Sequence, residues 1–273
     1  MFDRIIWISG MPRSGTNWLA QIMASNPMVR LKLCPLFSYE FKNAMDLDSS
    51  PAQWAEFFTK VYQTPSEYMD QDYLRRDGLA PLFLEREPNP SVLAIKSNRF
   101  HHLSRSILEK HPGVTFVGIV RHPCATIHSW LTNPLEFPAD CHPRQQWRDG
   151  ACRKTGPGEF WGFDDWKKVT AMFLDLAQRF PQRFLLVRYE SIVFDAQGQI
   201  KQLFERLGLG WPAQTRRFLK ESQSTHNPHK RAVHKNPAVA TRWKTEMDPG
   251  MVKTILDELR GTPLECFLGR ENQ

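Results

Sequence analysis

Two periods of apolar and polar positions alternate along the chain. Arg4-Ile5-Ile6-Trp7-Ile8-Ser9 is a short, nearly continuous apolar run that reads as a buried strand. A glycine turn follows, then a helical pattern from Thr16 to about Ser25, ended by Asn26-Pro27. Pro51 to Tyr62 is helical again, entered by Ser49-Ser50 with Pro51 in the first turn. Val92 to Ile95 predicts a second short strand, and His102 to Lys110 a helix closed by His111-Pro112-Gly113. Val114 to Val120 is the clearest strand, continuous and β-branched, as expected where both sheet faces are covered. Arg121-His122-Pro123 turns it into a helix running to about Leu131. Helix Asp164 to Phe180 and strand Phe184 to Tyr189 restore the alternation. Helical patterns at Gln197–Leu207, Pro212–Glu221 and Pro249–Leu259 complete it. Strands alternating with helices predict an α/β fold with a central, mostly parallel sheet and right-handed crossovers.

One stretch breaks the rhythm. Asn133 to Phe163 is rich in Pro, Gly and Trp and has no period. A segment of that length is either a functional loop or lid, or it holds short elements that periodicity does not reveal. Its Trp147, Arg148, Phe160 and Trp161 are candidates for a wall or lid over a substrate. No repeat and no boundary is visible, so the expectation is one domain over 1–273 with an irregular insertion at about 133–163.

Composition narrows the class. At 273 residues and 41% hydrophobic the chain can bury a full core. No apolar run approaches the roughly 20 residues that span a bilayer, and Ile5–Ile8 is too short for a secretory signal. The expected location is cytoplasmic. Five scattered cysteines without a C-x-x-C pair read as free thiols. Cys141, His142 and Cys152, like His226, His229 and His234, lack zinc spacing, so no metal is expected. The net charge of +7 is dispersed. It suits nucleic acid or a small multiply phosphorylated ligand and does not choose between them.

The chemistry concentrates in the first turn, Gly10-Met11-Pro12-Arg13-Ser14-Gly15-Thr16-Asn17-Trp18-Leu19. A glycine turn between a strand and a helix aims free backbone N–H groups and the positive helix end at one point, which suits an anion. A tight turn without a ligand is the plainer alternative. The Walker pattern aligns with Gly10 and Gly15, but Thr16 stands at its lysine and Asn17 at its metal-binding hydroxyl. Kinase-type handling of Mg-ATP is therefore not expected.

Pro12 to Leu19 resembles the 5′-phosphosulfate loop of sulfotransferases that use 3′-phosphoadenylyl sulfate (PAPS), typically P-[KR]-S-G-T-x-[WL]-L. The resemblance implies a P-loop-like three-layer fold, with Arg13 on the bridging oxygen and Ser14, Gly15, Thr16, Asn17 and Trp18 around the donor. Arg121-His122-Pro123 with Ser129 resembles the family's 3′-phosphate site, His122 standing where Asn or Asp is usual. Val187-Arg188-Tyr189-Glu190-Ser191 resembles the R-Y-E-D-L strand end, placing Tyr189 at the adenine. Lys235 and Arg242-Trp243-Lys244 resemble the basic loop that covers the nucleotide, although the usual R-K-G triplet is replaced by His234-Lys235-Asn236. The implied partners are PAPS and an unidentified acceptor, without nucleic acid.

The proton acceptor is open. Leu93 to Asn98 resembles the strand ending in K-T-H in aryl and steroid sulfotransferases. Lys96 matches, but Asn98 occupies the place of the catalytic His and cannot act as a base. His101 and His102 follow directly. Glu40 is the competitor, since carbohydrate-type enzymes tend to use a Glu after the first helix. Glu85 and Glu87 are further possibilities. Two other readings stand beside the sulfotransferase: a small-molecule kinase with a degenerate loop, and a nucleotide-binding module without catalysis.

Overall fold

The computed structural model describes residues 2–227, 229, 233 and 237–269. In chain order the first elements are β1 (Arg4–Ser9), α1 (Thr16–Ala24), β2 (Val29–Leu33), α2 (Pro51–Gln63), α3 (Asp72–Arg76), β3 (Val92–Ser97) and α4 (Ser104–Lys110). Next come β4 (Val114–Val120), α5 (Pro123–Leu131), α6 (Pro143–Gln146), α7 (Gly162–Arg179), β5 (Phe184–Arg188) and α8 (Tyr189–Phe194). The last are α9 (Ala196–Arg206), α10 (Ala213–Ser224), α11 (Trp243–Glu246) and α12 (Pro249–Leu259).

The five strands form one parallel sheet in the order β2-β3-β1-β4-β5. Residues alternate between its faces. Ile5 and Trp7 enter a core with Trp54, Phe58, Phe116, Trp166 and Phe173, whereas Ile6 and Ile8 enter the opposite one with Leu19, Ile22, Ile119 and Leu219. Helices on both faces make the three layers. Gly118 in β4 is required by packing: a Cβ there would lie 2.7 Å from the Phe184 ring.

Register fixes where the site forms. Ser9 pairs with Ser97 on one side and Gly118 on the other, and Val120 pairs with Arg188. The turns after β1, β3, β4 and β5 therefore leave the sheet at one edge, the usual crevice of an open parallel sheet.

The structure differs from the pattern in several places, α3 and α11 among them. Val29–Leu33 is an edge strand absent from the sequence reading, because Arg30 and Lys32 interrupt its apolar run. Lys32 is nevertheless only 3% exposed, its ammonium bonded to Thr64 O at 2.7 Å and to Asp70 at 2.7 Å. β3 continues to Ser97, and a 3-10 turn over His101–Leu103 precedes α4. Tyr189 opens α8 instead of ending β5. The aperiodic segment contains α6 and a 3-10 turn at Ala151–Arg153, too short to show a period, and is pinned by a cluster of Trp130, Phe137 and Trp161. Among the described residues, no helix is long and apolar enough to cross a membrane.

Candidate active site

The turn after β1 is built on two left-handed residues, Arg13 (φ 70°) and Gly15 (φ 91°). Gly15 caps α1 without a side-chain hydrogen bond, and the first helical bond is Leu19 N to Gly15 O at 3.1 Å. Ser14 N donates to Met11 O at 3.1 Å, whereas the first amides of α1 lack intrahelical acceptors and suit an anion. Ser14 lies buried in the turn with its Oγ unpartnered among the described residues. A Cβ on Gly15 would come within 2.4 Å of the Tyr189 ring, so that ring packs closely on the loop.

Arg121 leaves the end of β4 beside this turn. Its guanidinium donates to Arg13 O at 3.1 Å and Val239 O at 2.9 Å, and sits 4.7 Å from the centre of the Tyr189 ring. Nε has no partner. Burial is the main influence pulling this arginine below its usual value. Ser129, two turns into α5, accepts from Arg13 Nε at 3.2 Å.

His122 explains how the sequence departs from Asn or Asp here. Its Nδ1 accepts from Cys124 N at 3.2 Å and caps α5, the task of a short polar side chain at that position. The ring stacks on Trp243 at 4.3 Å and 18°. Burial first, then the Arg121 charge, push it down to about 3, so it is neutral. Trp243 is thereby docked on the site, and its neighbour Arg242 reaches the cleft.

One cleft of about 260 Å³ lies between these elements. Arg13, Gly15, Thr16, Asn17, Trp18, Lys96, Arg121, Ser129 and Tyr189 all reach it. Trp18 meets Tyr189 edge to face at 6.0 Å and donates to Ser222 Oγ at 2.9 Å, closing one end against α10. Lys96 is 4% exposed; burial dominates and holds it below the usual lysine value, Cys34 and Glu136 acting in the opposite sense. Lys235 lies outside the described residues, as do His234 and Asn236.

The residues weighed as proton acceptors do not join this cleft. Glu40 is exposed and off its lining; burial raises its pKa, but hydrogen bonds to Ser66, its own backbone and Ser38 outweigh that and hold it below the usual carboxylate value. His102 is exposed and stacks on Phe160. His101 is buried, its Nδ1 2.9 Å from Ser9 Oγ, and burial pushes it down to about 3. Glu85 pairs with Arg217 at 2.6 Å, and Glu87 N binds Pro27 O near the amino ends of the strands. Trp147, Arg148, Phe160 and Trp161 also miss the cleft, since they pack against α7, His101 and Trp130.

Among the lining residues that escaped the sequence reading are Glu136 and His128. His128 Nε2 lies 3.4 Å from Glu246 Oε2. Glu136 Oε2 lies 3.6 Å from Arg13 NH1 and, among the described residues, accepts no hydrogen bond. Nothing local marks Glu136, because it stands in the aperiodic segment. Among the described residues, no group of three or more His, Cys, Asp or Glu is placed to hold a metal.

A parallel α/β sheet with a positively lined cleft at its carboxyl edge defines a class of anion- and nucleotide-handling proteins. The chain belongs to the sulfotransferase family, whose model matches residues 6–213. It is 26% identical over 199 residues to omega-hydroxy-beta-dihydromenaquinone-9 sulfotransferase Stf3 of Mycobacterium bovis and of Mycobacterium tuberculosis. That match covers 61% of this chain and 47% of each relative, so the chain spans about half the length of these curated relatives. Mouse sulfotransferase SULT7A1 complexed with PAP shares the fold at a TM-score of 0.54 and 15% identity, over 98% of this chain and 88% of that one. A sulfotransferase from Alicyclobacillus acidocaldarius gives 0.52 at 11%, over 94% and 92%. The α/β, P-loop-like expectation is thereby met.

Proposed function

We propose that the chain moves a sulfuryl group from PAPS to an acceptor hydroxyl by in-line transfer without a metal. The observation that carries this is the convergence of two arginines from two strand ends, Arg13 and Arg121, on one cleft with the open amides of α1. A donor phosphorylated at both 3′ and 5′ positions needs two such sites. The loop amides, Ser14 and Thr16 would receive the 5′-phosphosulfate. Arg121 and Ser129 would receive the 3′-phosphate, and Trp18 and Tyr189 would flank the base. Arg13 and Lys96 supply positive charge where the leaving phosphate develops its own. Thr16 and Asn17 in place of Walker residues argue against a Mg-ATP kinase. The acceptor named in the Stf3 relatives is a hydroxylated menaquinone, which favours an alcohol on a lipid or small metabolite over an aryl acceptor. Asn98 in place of the aryl-type His agrees with that preference.

Calorimetric titration with adenosine 3′,5′-bisphosphate (PAP) and with Mg-ATP tests the reading. PAP should bind and Mg-ATP should not. Binding of Mg-ATP alone would defeat it. Arg121→Ala should weaken PAP binding at least tenfold, whereas Arg13→Ala should reduce turnover more than affinity, since its contact tightens in the transition state.

A further inference from the structure

We propose that Glu136 is the general base that takes the proton from the acceptor. This rests on the sulfotransferase reading above and identifies the group that its chemistry still lacks. Transfer requires the acceptor O–H bond to break as its oxygen bonds to sulfur. The S–O bond to the 5′-phosphate then breaks, leaving its electron pair on PAP. The proton needs a destination within hydrogen-bond reach of the acceptor.

Glu136 is the carboxylate that lines the cleft together with Arg13, Lys96 and Asn98. Its Oε2 is buried and accepts no hydrogen bond from the described residues, 3.6 Å from Arg13 NH1, the guanidinium assigned to the bridging oxygen. A buried acceptor atom left open costs about 1–3 kcal/mol, more for a charged group, and an incoming O–H satisfies it. The carboxylate is also held in place. Glu136 N and Phe137 N both donate to Asn133 O, at 3.0 and 2.8 Å, and the Asn133 side chain accepts from Leu135 N. Phe137 is wedged 5.3 Å from Trp130. The aromatic cluster of the aperiodic segment thus anchors one residue at the reacting end of the cleft.

The candidates from the sequence are placed elsewhere. His101 is buried against Ser9, while His102 and Glu40 lie off the cleft. His128 reaches the lining but faces Glu246 on α11. Arg13 and Lys96 bring positive charge close to Glu136. When Arg13 turns to the donor, Oε2 is released toward the acceptor.

The test uses the full chain, ³⁵S-labelled PAPS, and water and octan-1-ol as acceptors. Wild type, Glu136→Gln and Glu136→Asp are compared for product formation and for PAP affinity by calorimetry. Glu136→Gln should bind PAP within threefold of wild type and form product about 100-fold or more slowly. Glu136→Asp, which keeps the base, should recover part of the rate. Product formation by Glu136→Gln within threefold of wild type overturns the assignment. So does parallel loss of PAP binding, which would mark a structural role, and so does a wild type that binds PAP but sulfates neither probe. A wild type that binds no PAP instead sinks the sulfotransferase reading itself.

Discussion

Replacing His122 by Asn should remove one of the two largest histidine contributions to acid sensitivity among the described residues. His122 and His101 are both buried, and burial leads in pushing each from 6.5 to about 3. Both are neutral in the fold, whereas the unfolded chain takes up a proton at each as pH falls below 6.5. Their contribution is therefore fully present above pH 6.5 and is lost as pH falls from 6.5 toward 3. At pH 5.0 the unfolded imidazole is about 1.5 units below its pKa, and at about 1.4 kcal/mol per unit each histidine costs roughly 2 kcal/mol. Together they remove about 4 kcal/mol, a large share of the 5–15 kcal/mol typical of a domain. Asn caps a helix as well as any residue but does not titrate. Loss of the Trp243 stack, about 1 kcal/mol, applies at both pH values and cancels in the comparison. Urea unfolding at pH 7.5 and 5.0 measures the difference. Wild type should lose about 2 kcal/mol more than His122→Asn between the two. Equal losses would refute the claim that His122 is held neutral by burial.

Two further substitutions probe the site's frame and the edge of the sheet. Gly15→Ala places a methyl 2.4 Å from Tyr189 at a φ of 91°. It should cost about 2 kcal/mol or more and weaken PAP binding at least tenfold. A thermal midpoint and PAP affinity both equal to wild type would show that the ring does not rest on the loop. Asp70→Ala leaves the buried Lys32 ammonium with only Thr64 O, a loss of about 3 kcal/mol. Adding Lys32→Met should restore most of it in chemical denaturation, and a double variant no more stable than Asp70→Ala would exclude an uncompensated charge as the cause.

Much of the frame is visible in local pattern. The continuous runs Ile5–Ile8 and Val114–Val120 are strands because both sheet faces are covered, and the helices from Thr16, Pro51 and Pro249 begin where their turn residues place them. Val29–Leu33 was hidden because Lys32 looks solvent-facing until Asp70 and Thr64, far along the chain, are folded against it. His122 looked like a departure from the family pattern, yet it does the capping work of Asn and adds a stack on Trp243. Neither fact can be read from neighbouring residues.

The strands Arg4–Ser9 and Val114–Val120 with the helices that follow them, and the glycine turn between Ser9 and Thr16, were determined by the sequence itself. Each depends on spacing within one or two elements, where periodicity and turn chemistry act. The membership of the cleft was decided by tertiary structure. Strand register brings four turns to one edge. Packing of Phe137 on Trp130 then carries Glu136 to Arg13, while Glu40 and His102 stay outside. Which carboxylate faces a reacting centre depends on contacts between segments more than 100 residues apart, and no local pattern encodes them.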